Sequence, residues 1–295
     1  MKLAFAFAGL VALLASAPAP APVSQTPPAP QQKTLSLSFG VYQTDKATLM
    51  YRSFTPLIDA LQTEMAEQLA RPVDIQLTIF RTYDDGIDAL CKGTVDFVHF
   101  GPASYIRAKA RNPGIELLAM ESENGSKRFT GVVIVAKDSP IQSLLDLKGK
   151  TFAFGDPNST IGRWLVQAEM VKAGIHASDL ANAKYFERHD QVADVVAHGD
   201  FDAGAVKLST FTKANAKNQL RSILTFENVT KPVVARQGLD KDVFTAIQKS
   251  LLALDDPTLF VDLKISGFIA TSDAEYEFVR DGMKVAEGFE IKRGS

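Results

Sequence analysis

The chain has 295 residues, 46% of them hydrophobic and 22% charged, enough for one large domain or two of ordinary size with real cores. A formal net charge of −2 leaves no basic field for DNA, RNA or an anionic membrane surface, so nucleic-acid binding is set aside. The single cysteine, Cys91, rules out an internal disulfide and a thiolate-built zinc site, and in IDALCKGT it reads as a small packing residue or a free thiol.

The chain opens with MKLAFAFAGLVALLASA: one lysine, an apolar run of about a dozen residues, then small residues at A-x-A spacing. This is the layout of a secretory signal and is too short for an ordinary membrane span. Each A-x-A candidate (15–17, 17–19 and 19–21) is followed by proline, so residues 1–21 are read either as a cleaved signal or as a retained N-terminal anchor. No cysteine follows, which excludes a lipoprotein anchor, and export is expected either way. The Pro- and Ala-rich stretch that follows, assigned as a spacer over 22–33, cannot build a core and should be extended.

From Leu35 the texture turns globular. LSLSFGVY alternates like a strand, FTPLIDALQTEMAEQLA repeats at helical spacing, and VDIQLTIF is a second strand. A helix (DDGIDALCKG), a strand (VDFVHF) ending at Gly101-Pro102, a helix from SYIRAKAR and the strands ELLAMES and FTGVVIVAK follow. Beyond Ala136 the style repeats: KDSPIQSLLDLKGK leads into the strand TFAFGD, then a helix carrying Ile161, Leu165, Val166, Met170 and Val171, stopped at Gly174. The strand AKYFE, the helix QVADVVAHG, the strand DAGAVK and the segments TKPVVARQGL and KDVFTAIQKSLLAL complete the body. This alternation predicts an α/β fold with parallel sheet order, long enough for two lobes with a ligand cleft at the strand ends.

Four stretches fall where apolar runs stop: GVYQTD (40–45), HFGPASY (99–105), GDPNSTIG (155–162) and ERHDQV (187–192). In GDPNSTIG, Ser159 or Thr160 opens a helix. That is explained by a simple N-cap after a proline turn, or by an anion seat in which two hydroxyls and unpaired N–H groups converge at the positive end of a helix dipole. Four such loops on one architecture favour a shared site.

The set FGVYQTD, VDFVHFGPASY with its alanine-rich helix, AKDSPIQSLLDLKGKTFAFGDPNST and ERHDQVADVVAHGDFDAGAV resembles the phosphate/phosphite/phosphonate-binding (PhnD-type) periplasmic proteins. Those are type II, two-lobed receptors serving ABC importers. The likeness spans roughly residues 35–290, and GDPNST together with His189 ahead of G-D-F-D-A-G-A is its most specific part. It implies a venus-flytrap fold with crossings near 132–137 and 228–236, lobe 1 being 34–133 plus 232–295 and lobe 2 being 134–231.

It further implies that Ser159, Thr160 and Gly162 belong to the anion motif, with Ser159 and Thr160 holding oxygens through hydroxyls and N–H groups. His189 would add a hydrogen bond, charge-assisted if protonated. Tyr42 and Phe100 would wall the ligand, Tyr105 would line the cleft or pack beneath it, and Asp202 would be structural. Three positions depart from the family pattern. Its S-T-S-G is Ser159-Thr160-Ile161-Gly162 here, its proline after the first strand is Gln43, and the acidic residues that hold an aminophosphonate's ammonium fall near Ser209 and Lys231. Lys231 would repel an amine, so 2-aminoethylphosphonate is not expected to bind; the lysine either adds charge for a plain anion or is solvated.

A binding protein for a small oxyanion, serving an ABC permease as a monomer without cofactor or metal, is the leading reading. An enzyme using Ser159 as nucleophile and His189 as base would need a carboxylate partner or a metal cluster, and the four histidines (99, 176, 189, 198) lack metal-ligand spacing. The alternative is a ligand-sensing partner of a membrane sensor kinase, since either partner could read domain closure.

Overall fold

The structure, a computed structural model, describes residues 32–44 and 46–289. The leader (1–21) and the spacer up to residue 31 lie outside the described residues.

β1 (Leu35–Tyr42) and β2 (Val73–Phe80) run parallel, with Leu35 opposite Val73 and Tyr42 opposite Phe80. Between them α1 (Ala47–Leu69) buries Met50, Phe54, Leu57, Ile58, Leu61 and Met65, an i, i+3, i+4 stripe laid on the sheet. α2 (Tyr83–Lys92) starts at a capping box: the Thr82 hydroxyl accepts from the Asp85 N–H while the Asp85 carboxylate accepts from the Thr82 N–H. β3 (Phe97–His99) leads to α3 (Pro102–Arg111), which opens on proline, where the missing N–H costs nothing. β4 (Glu116–Ser122) ends the first pass.

The chain then enters a second sheet. It contributes β5 (Arg128–Ala136), β6 (Thr151–Phe154), a helical run whose π-wound first turn (Thr160–Leu165) continues as α4 (Val166–Lys172), then β7 (Asn182–Tyr185), α5 (His189–Ala197), β8 (Ala203–Lys207), α6 (Leu208–Ala214) and β9 (Leu220–Val229). It returns through β10 (Pro232–Ala235), α7 (Lys241–Ala253) and β11 (Gly267–Ile269), ending in α8 (Glu277–Ala286). The first sheet has the order β11-β4-β10-β3-β1-β2, the second β7-β6-β8-β5-β9.

Three expectations change. Sheet order is parallel only within β2-β1-β3 and β7-β6-β8; β10 and β11 run against their neighbours, and β5 runs against both β8 and β9. The chain crosses between the sheets twice, through residues 123–127 and 230–231, in opposite directions and side by side, which sets β4 against β10 and β5 against β9. The first crossing therefore lies upstream of 132–137, since β5 pairs with β9 from Arg128 onward. Finally, the C-terminal segment does not stay with the first sheet alone: α8 packs on both α3 and α4, with Val279 in the first lobe's core, and Phe289 joins the second sheet's core beside Phe154.

The two connections pair with one another. Glu121 N–H donates to the Lys231 carbonyl at 2.9 Å and Thr230 N–H to the Lys127 carbonyl at 2.9 Å, giving a two-stranded ribbon between the sheets.

Candidate functional site

The loops after β1, β3 and β6 and the start of α5 converge on one cavity of about 230 Å³ between the sheets. It is lined by Tyr42, Thr44, His99, Gly101, Ser159, Thr160, Ile161 and His189, and at the crossing end by Glu121, Lys207, Asn228 and Lys231. Parallel strands release their loops at one edge, which is why sequence-distant segments meet there.

The GDPNST turn is built by two glycines in backbone contact. A Cβ on Gly162 would stand 2.6 Å from the Gly155 Cα, and one on Gly155 2.9 Å from the Gly162 Cα, so both positions need glycine. Gly155 N–H donates to the Gly162 carbonyl at 2.8 Å, folding the end of β6 back on the helix start. Ser159 is the N-cap, its Oγ accepting from the Gly162 N–H at 3.0 Å. Among the described residues, the N–H groups of Thr160 and Ile161 have no acceptor. The Thr160 Oγ1 accepts from the Ala103 N–H at 3.0 Å, across from the first sheet. Both hydroxyls are thus used as acceptors, which leaves their own protons to donate to an anion. The simple cap and the anion seat coexist in one residue.

Tyr42 faces this seat. Its hydroxyl accepts from the Gly101 N–H and lies 3.4 Å from the Ser104 Oγ, and burial raises its pKa far above the ordinary phenol, so it stays neutral. Tyr83 stacks on its ring with centroids 3.7 Å apart. Phe100 is not a cleft wall: it is fully buried behind Tyr42, centroids 5.6 Å apart, in the core shared with α2 and α3. Alternation along β3 sends His99 to the cavity and its neighbour to the other face. Tyr105 packs beneath the site, its hydroxyl donating to Asp273 at 2.8 Å and its ring lying against Tyr276. Gly162 is buried and spends its N–H on Ser159, so it shapes the seat without lining it. Asp202 accepts from the Thr151 N–H and hydroxyl at 2.8 and 2.9 Å, a purely structural pairing.

His189 begins α5 with its Nδ1 buried and without a partner. Burial first, and then the Lys207 charge, push its pKa down to about 3, so the imidazole is neutral and the charge-assisted bond is not available. Lys231 is not simply solvated, since its Nζ lies 3.3 Å from the Glu121 carboxylate. Burial pushes the Glu121 carboxyl up, but Lys231 and His99 outweigh it and bring it to about 2. The ionised carboxylate accepts from the His99 Nε2–H at 2.8 Å, and burial keeps His99 neutral.

Several cavity residues escaped the sequence reading. Tyr83 was findable, because Thr82-x-x-Asp85 marks a helix start and puts Tyr83 at its first position. Lys207 ends the strand DAGAVK, a fifth strand end of the same kind as the four that were singled out. Asn228 and Glu121 gave no signal of their own, since the crossing ribbon brings them to the cavity. A further contact ties the seat loop to the first sheet: Arg107 of α3 donates to the Asn158 side-chain carbonyl and, at 2.9 Å, to Asp84.

The comparisons with known proteins bear on the family and the fold. The chain is 26% identical to the phosphate-import protein PhnD of Mycolicibacterium smegmatis, over 92% of both chains. It is 30% identical to the phosphonates-binding periplasmic protein of Escherichia coli, over 52% of this chain and 45% of that one. Among solved structures, PhnD1 of Prochlorococcus marinus in complex with methylphosphonate superposes with a TM-score of 0.77 at 20% identity, covering 86% of this chain and 98% of that one. A binding-protein component of an ABC phosphonate transporter from Pseudomonas aeruginosa gives 0.74 at 20% identity, over 86% and 87%. At such identity the structural likeness speaks for the fold alone, that of the two-lobed type II periplasmic binding proteins. The model of the family described as "ABC transporter, phosphonate, periplasmic substrate-binding protein" matches residues 39–276, from within β1 to the residue before α8, and the chain belongs to that family of substrate-binding proteins, which are not enzymes.

Proposed function

We propose that the chain captures a small phosphorus oxyanion (phosphate, phosphite or an alkylphosphonate) in the periplasm and presents it to an ABC importer once its two lobes have closed. The observation that carries this reading is the helix start at Thr160, where two unpaired N–H groups and two hydroxyls with free protons face one buried cavity. Ser159, Thr160 and the Ile161 N–H would bind the anion's oxygens, neutral His189, whose other ring nitrogen faces the Ala205 carbonyl, would accept through its unpartnered Nδ1 from a protonated oxygen of the anion, and Tyr42 would close the side of the seat. The lobes would be the two sheets with their helices, joined by the ribbon at 123–127 and 230–231.

The named relatives support the ligand class, one as a phosphate importer and one in complex with methylphosphonate. The sensor-kinase alternative finds no support in them. A single copy supplies both walls of the cavity, which favours a monomer. With Lys231 and Lys207 in that cavity, 2-aminoethylphosphonate is expected to bind poorly.

Isothermal titration of the purified protein with phosphate, phosphite, methylphosphonate, 2-aminoethylphosphonate and sulfate tests the reading, with Thr160→Val and His189→Ala beside it. Micromolar or tighter binding of one phosphorus anion, weakened in both variants, is the expected result. No heat from any of them would sink it.

A further inference from the structure

The cavity does not end at the seat. Tyr42 closes β1; the rim then passes β3 to β10, which Lys231 precedes. Two strand spacings put that end roughly 10 Å along from Tyr42. Lys207, Lys231 and Asn228 all line it. Lys231 is held by Glu121 at 3.3 Å, and Glu121 is itself held by His99 at 2.8 Å. Lys207 is half-buried, and among the described residues its ammonium has neither an ion pair nor a hydrogen bond. The Asn228 side chain is 1% exposed, and neither its amide nitrogen nor its oxygen has a partner. A half-buried cation and a fully buried amide, both without a partner at one end of a ligand cavity, are costly unless something occupies them.

We propose that this crossing end of the cleft holds a second anionic group, so that the ligand is a phosphonate carrying a carboxylate at its far end. The inference rests on the anion seat proposed above. The phosphonate would sit on Ser159 and Thr160, while the carboxylate accepts from Lys207 and the Asn228 amide. Electrostatics point the same way, because the repulsion of Lys231, with burial second, pulls the Lys207 pKa from 10.5 to about 7. An anion between the two lysines relieves that repulsion, whereas an ammonium adds to it. The competing occupant is an amine held by Glu123, whose carboxyl lines the same end and is pushed up by burial and by Glu121.

Titration calorimetry of the whole protein with methylphosphonate, phosphonoacetate, 3-phosphonopropionate and 2-aminoethylphosphonate decides between them. One phosphonocarboxylate is expected to bind about tenfold or more tighter than methylphosphonate, the worth of one charge-assisted bond. That ratio should fall towards one in Lys207→Met and be kept in Lys207→Arg, with thermal unfolding confirming that both variants fold. Equal affinity for methylphosphonate and both phosphonocarboxylates would overturn the second site while leaving the seat standing. So would tighter binding of 2-aminoethylphosphonate. No binding by any of the four would overturn both.

Discussion

Ser159 separates two roles that a single substitution usually confounds. Its Oγ accepts from the Gly162 N–H at 3.0 Å and so caps the helix, while its hydroxyl proton is available to an anion in the cavity. Ser159→Ala removes both. Loss of the cap costs stability by about 1 kcal/mol, within a range of about 0.5–2. That loss is present in the free and the liganded protein alike, so to first order it cancels from the dissociation constant. The anion contact does not cancel: a hydrogen bond to a charged acceptor contributes about 1.5–3 kcal/mol, which weakens binding by about 10- to 150-fold. Ser159→Gly is the sharper probe, since glycine is tolerated at an N-cap for a few tenths of a kcal/mol, yet it lacks the hydroxyl as completely as alanine. Denaturant unfolding without ligand and calorimetry with the best-bound phosphorus anion should therefore diverge: alanine less stable than glycine, both weakened in affinity to a similar degree. If both variants kept their affinity within about threefold while alanine lost stability, Ser159 would be a cap and nothing more.

Other outcomes follow from the same geometry. Gly162→Ala drives a Cβ to 2.6 Å from the Gly155 Cα; a stability loss of about 1–3 kcal/mol together with a collapse of anion affinity is expected, and an unaffected affinity would mean the turn does not shape the seat. Phe100→Tyr puts a hydroxyl into the core behind Tyr42, so denaturant unfolding should register a loss of about 1–3 kcal/mol with the ranking of ligands unchanged; a new ligand preference would return Phe100 to the cleft wall. For Lys207, whose pKa falls from 10.5 to about 7 under Lys231 and burial, with Glu121, Glu123 and Lys264 acting besides, the unfolded chain holds more protons between those values. Its contribution makes stability rise with pH from about 7 upward, and the slope of denaturation midpoints between pH 7 and 9 should flatten in Lys207→Met. Identical slopes would contradict this. Arg107→Ala removes the contacts to Asn158 and Asp84 and should weaken binding of every anion by a similar factor, measured as a uniform shift across the titration series.

What was legible in the sequence was the set of strand ends. GVYQTD, HFGPASY, GDPNSTIG and ERHDQV meet in space because each follows an apolar run and strands of like direction end on one edge. What was not legible depended on faces and direction. In VDFVHF both faces of the strand are buried, so alternation gave no hint that His99 and not Phe100 turns to the cavity. Tyr105 lay beyond reach for a related reason: its partner Asp273 is 168 residues away. Lys207, Asn228 and Glu121 reach the cavity through antiparallel strands flanking the crossing ribbon, and the expected parallel order offered no reason to join them.

The turn at 155–162 couples ligand and closure by construction. Asn158 is bound by Arg107 and lies 3.4 Å from Asp84, both in the first sheet's layer, and Thr160 accepts the Ala103 N–H from the same layer. The intervening residue, Ser159, caps the second lobe's own helix. The seat groups proposed to hold the anion, Ser159, Thr160 and the Ile161 N–H, are therefore each within two residues of a contact that exists only when the lobes meet. An anion that orders Ser159 and Thr160 stabilises these contacts, and the contacts pre-arrange the seat, so binding and closure must favour each other to the same extent. A ligand bound equally well by open and closed forms would shift nothing, however tight. Because the Thr160 hydroxyl accepts from one lobe, an anion to which it donated would be bound more tightly by the closed form than by the open one, by what that shared hydroxyl contributes. That difference is the free energy available to signal a loaded protein to its importer.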